Sequence, residues 1–217
     1  MKRTFDIVMS FLGLIILSPV FLIVSACIRF DSPGGIFFRG PRVGKNGNMF
    51  HIFKFRSMVT NAEGNGKWNV GDNDQRITRI GHFLRNSKLD EIPQLINILM
   101  GDMSFVGPRP ELKYYVDMYV ENEKAILDLR PGMTDWASMV NIQQFKAFTE
   151  AIDPDEFYLE QVRPLKLKLQ LYYRYHHSFF GDILCIVWTI FKVVTHSKAL
   201  PVRVQEIVRT YRRDSLA

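Results

Sequence analysis

The sequence predicts a mainly helical α+β protein attached to a membrane. Three observations carry this: an uncharged N-terminal run, several later stretches with apolar residues at helical spacing, and one Gly/Pro-rich hairpin region leading into a short alternating segment. At 217 residues and 25.3 kDa the chain can bury one core, so one catalytic domain with appendages is expected. The expected boundaries are a membrane segment over 1–33, a domain over 34–200 and a basic tail over 201–217. The formal charge of +6 lies entirely in residues 1–110, which hold 14 Lys+Arg against 8 Asp+Glu, whereas residues 111–217 are balanced. A basic half suits an anionic partner such as nucleic acid, anionic lipid or a nucleotide. Cys27 and Cys185 both sit in apolar runs, which implies neither a disulfide framework nor a thiolate metal site and fits a reducing compartment.

Residues 7–28 carry no charge and are long enough to cross a hydrocarbon core of roughly 30 Å. A cleaved signal fits poorly, because the run exceeds an h-region of about 7–15 residues and Pro19 interrupts it. A spanning helix and a re-entrant helix–break–helix remain. Ser18-Pro19 supplies the break, since proline removes one hydrogen bond and disfavours helical geometry at Ser18, whose hydroxyl could satisfy a freed carbonyl. Both flanks are basic: Lys2 and Arg3 before the run, Arg29, Arg39 and Arg42 after it.

Residues 31–48 read as turns and a hairpin, and 49–58 as a short strand with Lys54 and Arg56 opposed to its apolar side. Residues 60–75 form a polar Gly/Asn-rich loop. A short helix over 76–85 leads to Asp90-Glu91, and Ile92, Leu95, Ile96 and Leu99 follow at helical spacing. Because Pro93 is acceptable only in a first turn, that helix is expected to start near Asp90, with Asp90 as its N-cap. Arg85 precedes the acidic pair and the turn Gly107-Pro108-Arg109-Pro110 follows it. Carboxylates, guanidinium groups and a helix N-terminus together suggest phosphate chemistry with a divalent metal. Capping alone is the simpler explanation of such a pair.

Beyond the turn, amphipathic helices are expected over 111–128 and 155–175, the latter with Phe157, Leu159, Val162, Leu165, Leu169 and Tyr172 inward. His176-His177 resembles no metal-ligand spacing. The second apolar run, 179–195, is short for a span and reads either as an interfacial helix or as a buried core helix. The arginines of 201–217 suit a lipid contact or a solvated tail.

Four segments in this order carry a family resemblance: KFRSM (54–58), RITRIGHFLR (76–85), LDEIPQLINILMGDMSFVGPRPE (89–111) and LRPGMTDWAS (129–138). The chain resembles the bacterial sugar transferases, the monotopic phosphoglycosyl transferases, from its N-terminus to about residue 195, and in length it is similar to the small members that hold only the catalytic core. The resemblance implies a monotopic protein with a re-entrant helix broken at Ser18-Pro19, a small mainly helical catalytic domain and amphipathic interfacial helices at the bacterial inner membrane, its active site facing the cytoplasm. It implies transfer of a sugar-1-phosphate from a UDP-sugar to undecaprenyl phosphate, giving undecaprenyl-diphospho-sugar and UMP.

On that resemblance Asp90 is the expected nucleophile, forming an aspartyl-phosphosugar, with Glu91 beside it and Mg²⁺ held by Asp90 and Glu91. Arg85 and Arg109, with Lys54 and Arg56, are assigned to substrate phosphate, and Pro108 and Pro110 to aiming Arg109. Membrane lipid is an expected partner and nucleic acid is not. A homodimer is compatible with the chain, although no self-complementary patch argues for one. The loop from Thr134 to Asn141 departs from the Gly-Trp and Asn-Gly-Arg of many relatives, so the identity of the sugar stays open. The rival outside enzymology is a basic membrane-surface or nucleic-acid adaptor that has no need of Asp90.

Overall fold

A computed structural model describes residues 1–60, 62, 74–141, 154–195, 197 and 199–214. Most of the 60–75 loop and the last three residues therefore lie outside the described residues. The elements are mainly helical with two small sheets, as expected of an α+β chain.

The apolar N-terminus forms α1 (Lys2–Ile16) and α2 (Ser18–Asp31), bent by 60° at Leu17. The local cause is chemical. Pro19 has no N–H to offer the Ile15 carbonyl four residues back, and Ser18 Oγ donates to that same carbonyl at 2.8 Å. No single described helix is long and apolar enough to cross a membrane, although this bent pair passes the test together.

Both ends of the pair are tied to the rest of the protein. At the start, Lys2 Nζ donates to the Val106 carbonyl and the Tyr173 hydroxyl, each at 2.8 Å, and to Asp182 at 2.5 Å. Arg3 donates to the Ile98 and Leu99 carbonyls at 2.6 and 3.0 Å. It thereby adds to the bonding of the carbonyls where α4 (Gln94–Met100) ends at the left-handed Gly101, whose N–H the Ile98 carbonyl also accepts. At the far end, Asp31 accepts the Ile80 N–H at 3.1 Å, and Arg56 donates to the Ser32 and Pro33 carbonyls at 2.7 and 2.5 Å.

The hairpin appears as antiparallel β1 (Phe37–Val43) and β2 (Met49–Phe55), paired from Phe37↔Phe55 to Val43↔Met49. Phe55 reaches inward to Val24, Ile28 and Leu84, joining α2, the hairpin and α3 (Arg79–Ser87) in one core. Ile52, Leu95, Ile98 and Met103 form the next cluster, against Leu14 and Leu17.

The second sheet is parallel, β3 (Ser104–Val106) beside β4 (Gly132–Thr134). It brings the Gly107-to-Pro110 turn against Pro131-Gly132 at very close range. A Cβ on Gly132 would lie 2.1 Å from the Gly107 nitrogen, and one on Gly107 would lie 2.4 Å from the Arg130 carbonyl oxygen, so both positions need glycine.

Three expectations need correction. The helix expected over 111–128 is only α5 (Lys113–Val116), followed by turns and a 3-10 helix, Glu123–Asp128. Tyr115, Tyr119 and Ile126 are buried, but in two separate clusters, and their aromatic and β-branched neighbours are poor helix formers. The helix expected over 155–175 is divided into α7 (Pro154–Phe157), a π turn (Tyr158–Val162) and α8 (Arg163–His176). Pro164, in the first turn of α8, lacks an N–H and would crowd the carbonyl four residues back, which the wide turn relieves. Along α8 it is Tyr173, not Tyr172, that is fully buried.

The C-terminal residues are no solvated tail. They form α10 (Val202–Asp214), which follows α9 (Phe179–Thr195) and is seated by Val204 and Val208 against Ala137, Val140, Leu165 and Leu169. Ala137 and Val140 lie on α6 (Trp136–Asn141). The helix α9 has one buried side and one exposed apolar side. Asp182, Cys185 and Lys192 are buried, while Phe180, Leu184, Val187, Phe191 and Val194 face outward.

Candidate active site

Asp90 sits in a 3-10 turn, Leu89–Glu91, entered through Lys88 in the left-handed conformation (φ 59°) at the end of α3. It does not cap a helix. The N–H groups of Glu91, Ile92, Leu95 and Ile96 are taken by the carbonyls of Lys88, Leu89, Ile92 and Pro93, so α4 begins only at Gln94, with Pro93 at its N-cap. The donors that a capping carboxylate would use are already satisfied.

The Asp90 carboxylate is left buried, at 8% exposure, with no hydrogen bond from any described residue. Burial pushes its pKa upward and Glu91 adds to that, while the charges of Lys54, Lys88 and Arg85 act the other way.

Glu91, by contrast, is fully engaged. Lys54 Nζ donates to Oε1 at 2.8 Å, Arg109 Nη1 donates to Oε2 at 3.1 Å, and Arg109 Nη2 donates to Oε1 as well. Burial opposes its ionisation, but Arg109 and Lys54 outweigh burial and hold Glu91 well below the ordinary carboxylate range. The like-charge conflict within the pair is thus relieved on one side: Glu91 is neutralised locally and Asp90 is not.

The supporting residues come from four segments. Lys54 lies on β2, Arg85 in the last turn of α3, Lys88 between α3 and the 3-10 turn, and Arg109 on the turn after β3. Arg109 is aimed from below. Its guanidinium also donates to the Met133 carbonyl at 3.4 Å and its backbone N–H to Asp135 at 3.1 Å. The Pro108 carbonyl accepts the Gly132 N–H at 3.0 Å, which pins one flank of the turn. Pro108 and Pro110 have no N–H to give a phosphate.

Arg56 does not join this group. Buried at 7% exposure, its guanidinium is spent on the α2 C-terminal carbonyls and on Ser32 Oγ at 3.0 Å. A strand alternation cannot show that, because the carbonyls it serves are 23 or more residues away in sequence. Lys88 and Asp135 were not singled out by sequence reasoning. The basic residue two positions before the acidic pair was the available signal for Lys88, whose ammonium is pulled down by burial and partly restored by Glu91 and Asp90.

Among the described residues no group of three or more His, Cys, Asp or Glu side chains forms a metal cage. The donor set suits a different kind of site. Mg²⁺ commonly takes one or two carboxylates together with substrate phosphates and water. The bond-free oxygens of Asp90 fit that role directly, and Glu91 could share it only by giving up part of its contact with Arg109 or Lys54.

This geometry occurs in a chain whose residues 1–196 match the family model described as bacterial sugar transferase. The chain is 34% identical over 197 residues to UDP-N-acetylgalactosamine-undecaprenyl-phosphate N-acetylgalactosaminephosphotransferase of Aeromonas hydrophila, covering 89% of this chain and 44% of that protein. It is 33% identical over 195 residues to UDP-glucose:undecaprenyl-phosphate glucose-1-phosphate transferase of Escherichia coli K12, covering 88% of this chain and 40% of that one. It thus spans less than half the length of these two relatives. The exopolysaccharide production protein PSS of Rhizobium leguminosarum is matched almost end to end, 35% identical over 210 residues, 91% of this chain and 97% of the relative. With the match running through the bent helix pair, the acidic pair and the Gly-Pro-Arg-Pro turn, the chain belongs to the bacterial sugar transferase family.

Proposed function

We propose that this protein transfers a sugar-1-phosphate from a UDP-sugar to undecaprenyl phosphate at the cytoplasmic face of a bacterial inner membrane. The observation that carries the reading is the contrast within the acidic pair: a buried Asp90 carboxylate with no hydrogen bond beside a Glu91 held by Arg109 and Lys54. A carboxylate whose lone pairs are not tied up by donors is available as a nucleophile.

In the first displacement an Asp90 oxygen attacks the phosphorus that bears the sugar. The bond from that phosphorus to the bridging oxygen breaks, and UMP leaves with the electron pair. In the second, a phosphate oxygen of undecaprenyl phosphate attacks the same phosphorus and the Asp90 carboxylate is released. Lys54, Lys88, Arg85 and Arg109 surround two carboxylates with four cationic side chains, a balance suited to a diphosphate. Mg²⁺ bound by Asp90 and the substrate would neutralise part of the diphosphate charge. The relatives' names point to undecaprenyl phosphate as acceptor and leave the donor sugar open, since two of them differ in it.

The re-entrant reading is supported by the two anchored ends. Lys2 and Arg3 bond to α9, α8, β3 and α4, while Asp31 and Ser32 bond to α3 and Arg56. A pair whose two ends grip one domain enters and leaves the bilayer on the same side. The exposed apolar faces of α1 and α9, with Phe11, Ile15, Phe180 and Phe191, supply the surface that lipid would cover.

The test is UMP release from a panel of UDP-sugars by the full chain in detergent, with undecaprenyl phosphate and Mg²⁺. Acceptor-dependent UMP from one donor, abolished in Asp90→Asn, is the expected result; UMP release that survives the substitution would remove Asp90 from the chemistry.

A further inference from the structure

Asp135 is 1% exposed and stands between β4 and α6, close behind the Arg109 turn. Three donors converge on its two oxygens. Oδ1 accepts the Ser138 N–H at 2.6 Å, the bond that caps α6. Oδ2 accepts the Gln170 side-chain N–H of α8 at 2.8 Å and the Arg109 backbone N–H at 3.1 Å. A buried carboxylate is costly to keep, and it is kept where several donors need one acceptor.

One of those donors belongs to the residue that grips Glu91 through both terminal nitrogens. We infer that Asp135 is a positioning residue, which holds the Arg109 backbone so that its guanidinium meets Glu91 beside Asp90. The inference rests on the proposed sugar-phosphate transfer for its kinetic consequence, though not for the anchoring itself.

The geometry separates this role from simple capping. In Asp135→Asn the single remaining oxygen keeps the shortest bond, to the Ser138 N–H, and the new amide N–H groups face Gln170 and Arg109. Gln170 can turn over to accept one of them, because its Oε1 now has no partner among the described residues. The Arg109 N–H cannot turn, so donor meets donor and that contact alone is lost. Gln170→Leu does the reverse: it deletes the α8 contact at similar volume and leaves the Arg109 bond in place.

The test uses the full chain in detergent, with hydrogen exchange at the Arg109 amide and UMP-release kinetics measured on the wild type and both variants. Asp135→Asn is expected to speed exchange at Arg109 at least tenfold and to lower kcat about tenfold, with the donor KM within twofold. Gln170→Leu is expected to change neither, even if both variants lower the unfolding temperature. Unchanged exchange at Arg109 in Asp135→Asn would overturn the anchor. Faster exchange with kcat within twofold of wild type, or an equal loss of kcat in Gln170→Leu, would overturn the positioning role. If the wild type releases no UMP from any donor, the transfer reading falls, and the exchange result still decides the anchor.

Discussion

Arg109 faces Glu91 with both ends of its fork, Nη1 lying 3.1 Å from Oε2 and Nη2 bonded to Oε1. Lys54 completes the neutralisation at 2.8 Å, which leaves Asp90 as the member of the pair with unbonded oxygens. Two adjacent carboxylates thus differ in bonding, one engaged on both oxygens and the other on neither.

Replacing the fork by a single ammonium tests that division. Arg109→Lys retains the charge and loses the bidentate geometry. We expect kcat/KM for the donor to fall about 100-fold, equivalent to about 2.7 kcal/mol. Steady-state UMP release measures it, and a loss smaller than threefold would show that charge alone suffices.

Arg56 carries a contrasting prediction. Its guanidinium holds the α2 C-terminus through Ser32 and Pro33, and charge-assisted bonds of this kind are worth about 1.5–3 kcal/mol. Arg56→Ala should lower the unfolding temperature in detergent markedly, while the donor KM of the folded enzyme stays within twofold. A tenfold rise in KM with an unchanged unfolding temperature would return Arg56 to the substrate site.

Arg56 also shows where sequence reading stops. The hairpin, the turn bearing Arg109 and the break at Ser18-Pro19 are legible because each is a local signal of proline, glycine or alternation, and the acidic pair because its members are adjacent. What was not legible depends on partners distant in the chain. Lys2 and Arg3 read as basic flanks of a membrane segment, yet they are ligands for Asp182 and the end of α4. The 201–217 segment read as a tail because its arginines dominate, although Val204 and Val208 are spaced for one buried helical face. At Asp90 the N-cap assignment failed because consecutive short-range turns had already used the backbone donors.

The re-entrant topology proposed from the two anchored ends of the bent pair has a direct test. Cysteines placed at exposed Thr4 and Gly35 in a Cys27→Ser background should both react with a membrane-impermeant maleimide only when the cytoplasmic face is open. Labelling of the two sites from opposite faces would show a spanning segment.

The pH dependence of stability has a separate origin, in the buried cluster behind the Arg109 turn. Glu111 is bonded to Lys166 and Tyr158, and accepts the Tyr119 hydroxyl at 3.1 Å. Burial opposes its ionisation, but Lys166 and the two hydroxyls prevail and set its pKa below the ordinary glutamate value. The folded state thus binds this proton less readily than the unfolded chain. The stabilisation is present above the ordinary glutamate range and is lost as pH falls through that range toward the lower folded value. Glu111→Gln should flatten this acid-side loss and cost about 3–5 kcal/mol at neutral pH, because Lys166 is left buried without its counter-charge. Unfolding temperature against pH measures both, and an unchanged acid slope in the variant would contradict the assignment.

The most direct measurement is made without acceptor. Full-length protein is incubated with Mg²⁺ and the UDP-sugar that supports turnover, quenched, digested and analysed by mass spectrometry. One sugar-phosphate adduct is expected, on the peptide containing Asp90 and absent in Asp90→Asn, and it disappears when undecaprenyl phosphate is added before the quench. Burst-free kinetics with no adduct on Asp90, under conditions where the complete mixture turns over, would mean that the donor is attacked directly by the acceptor and that Asp90 is not the nucleophile.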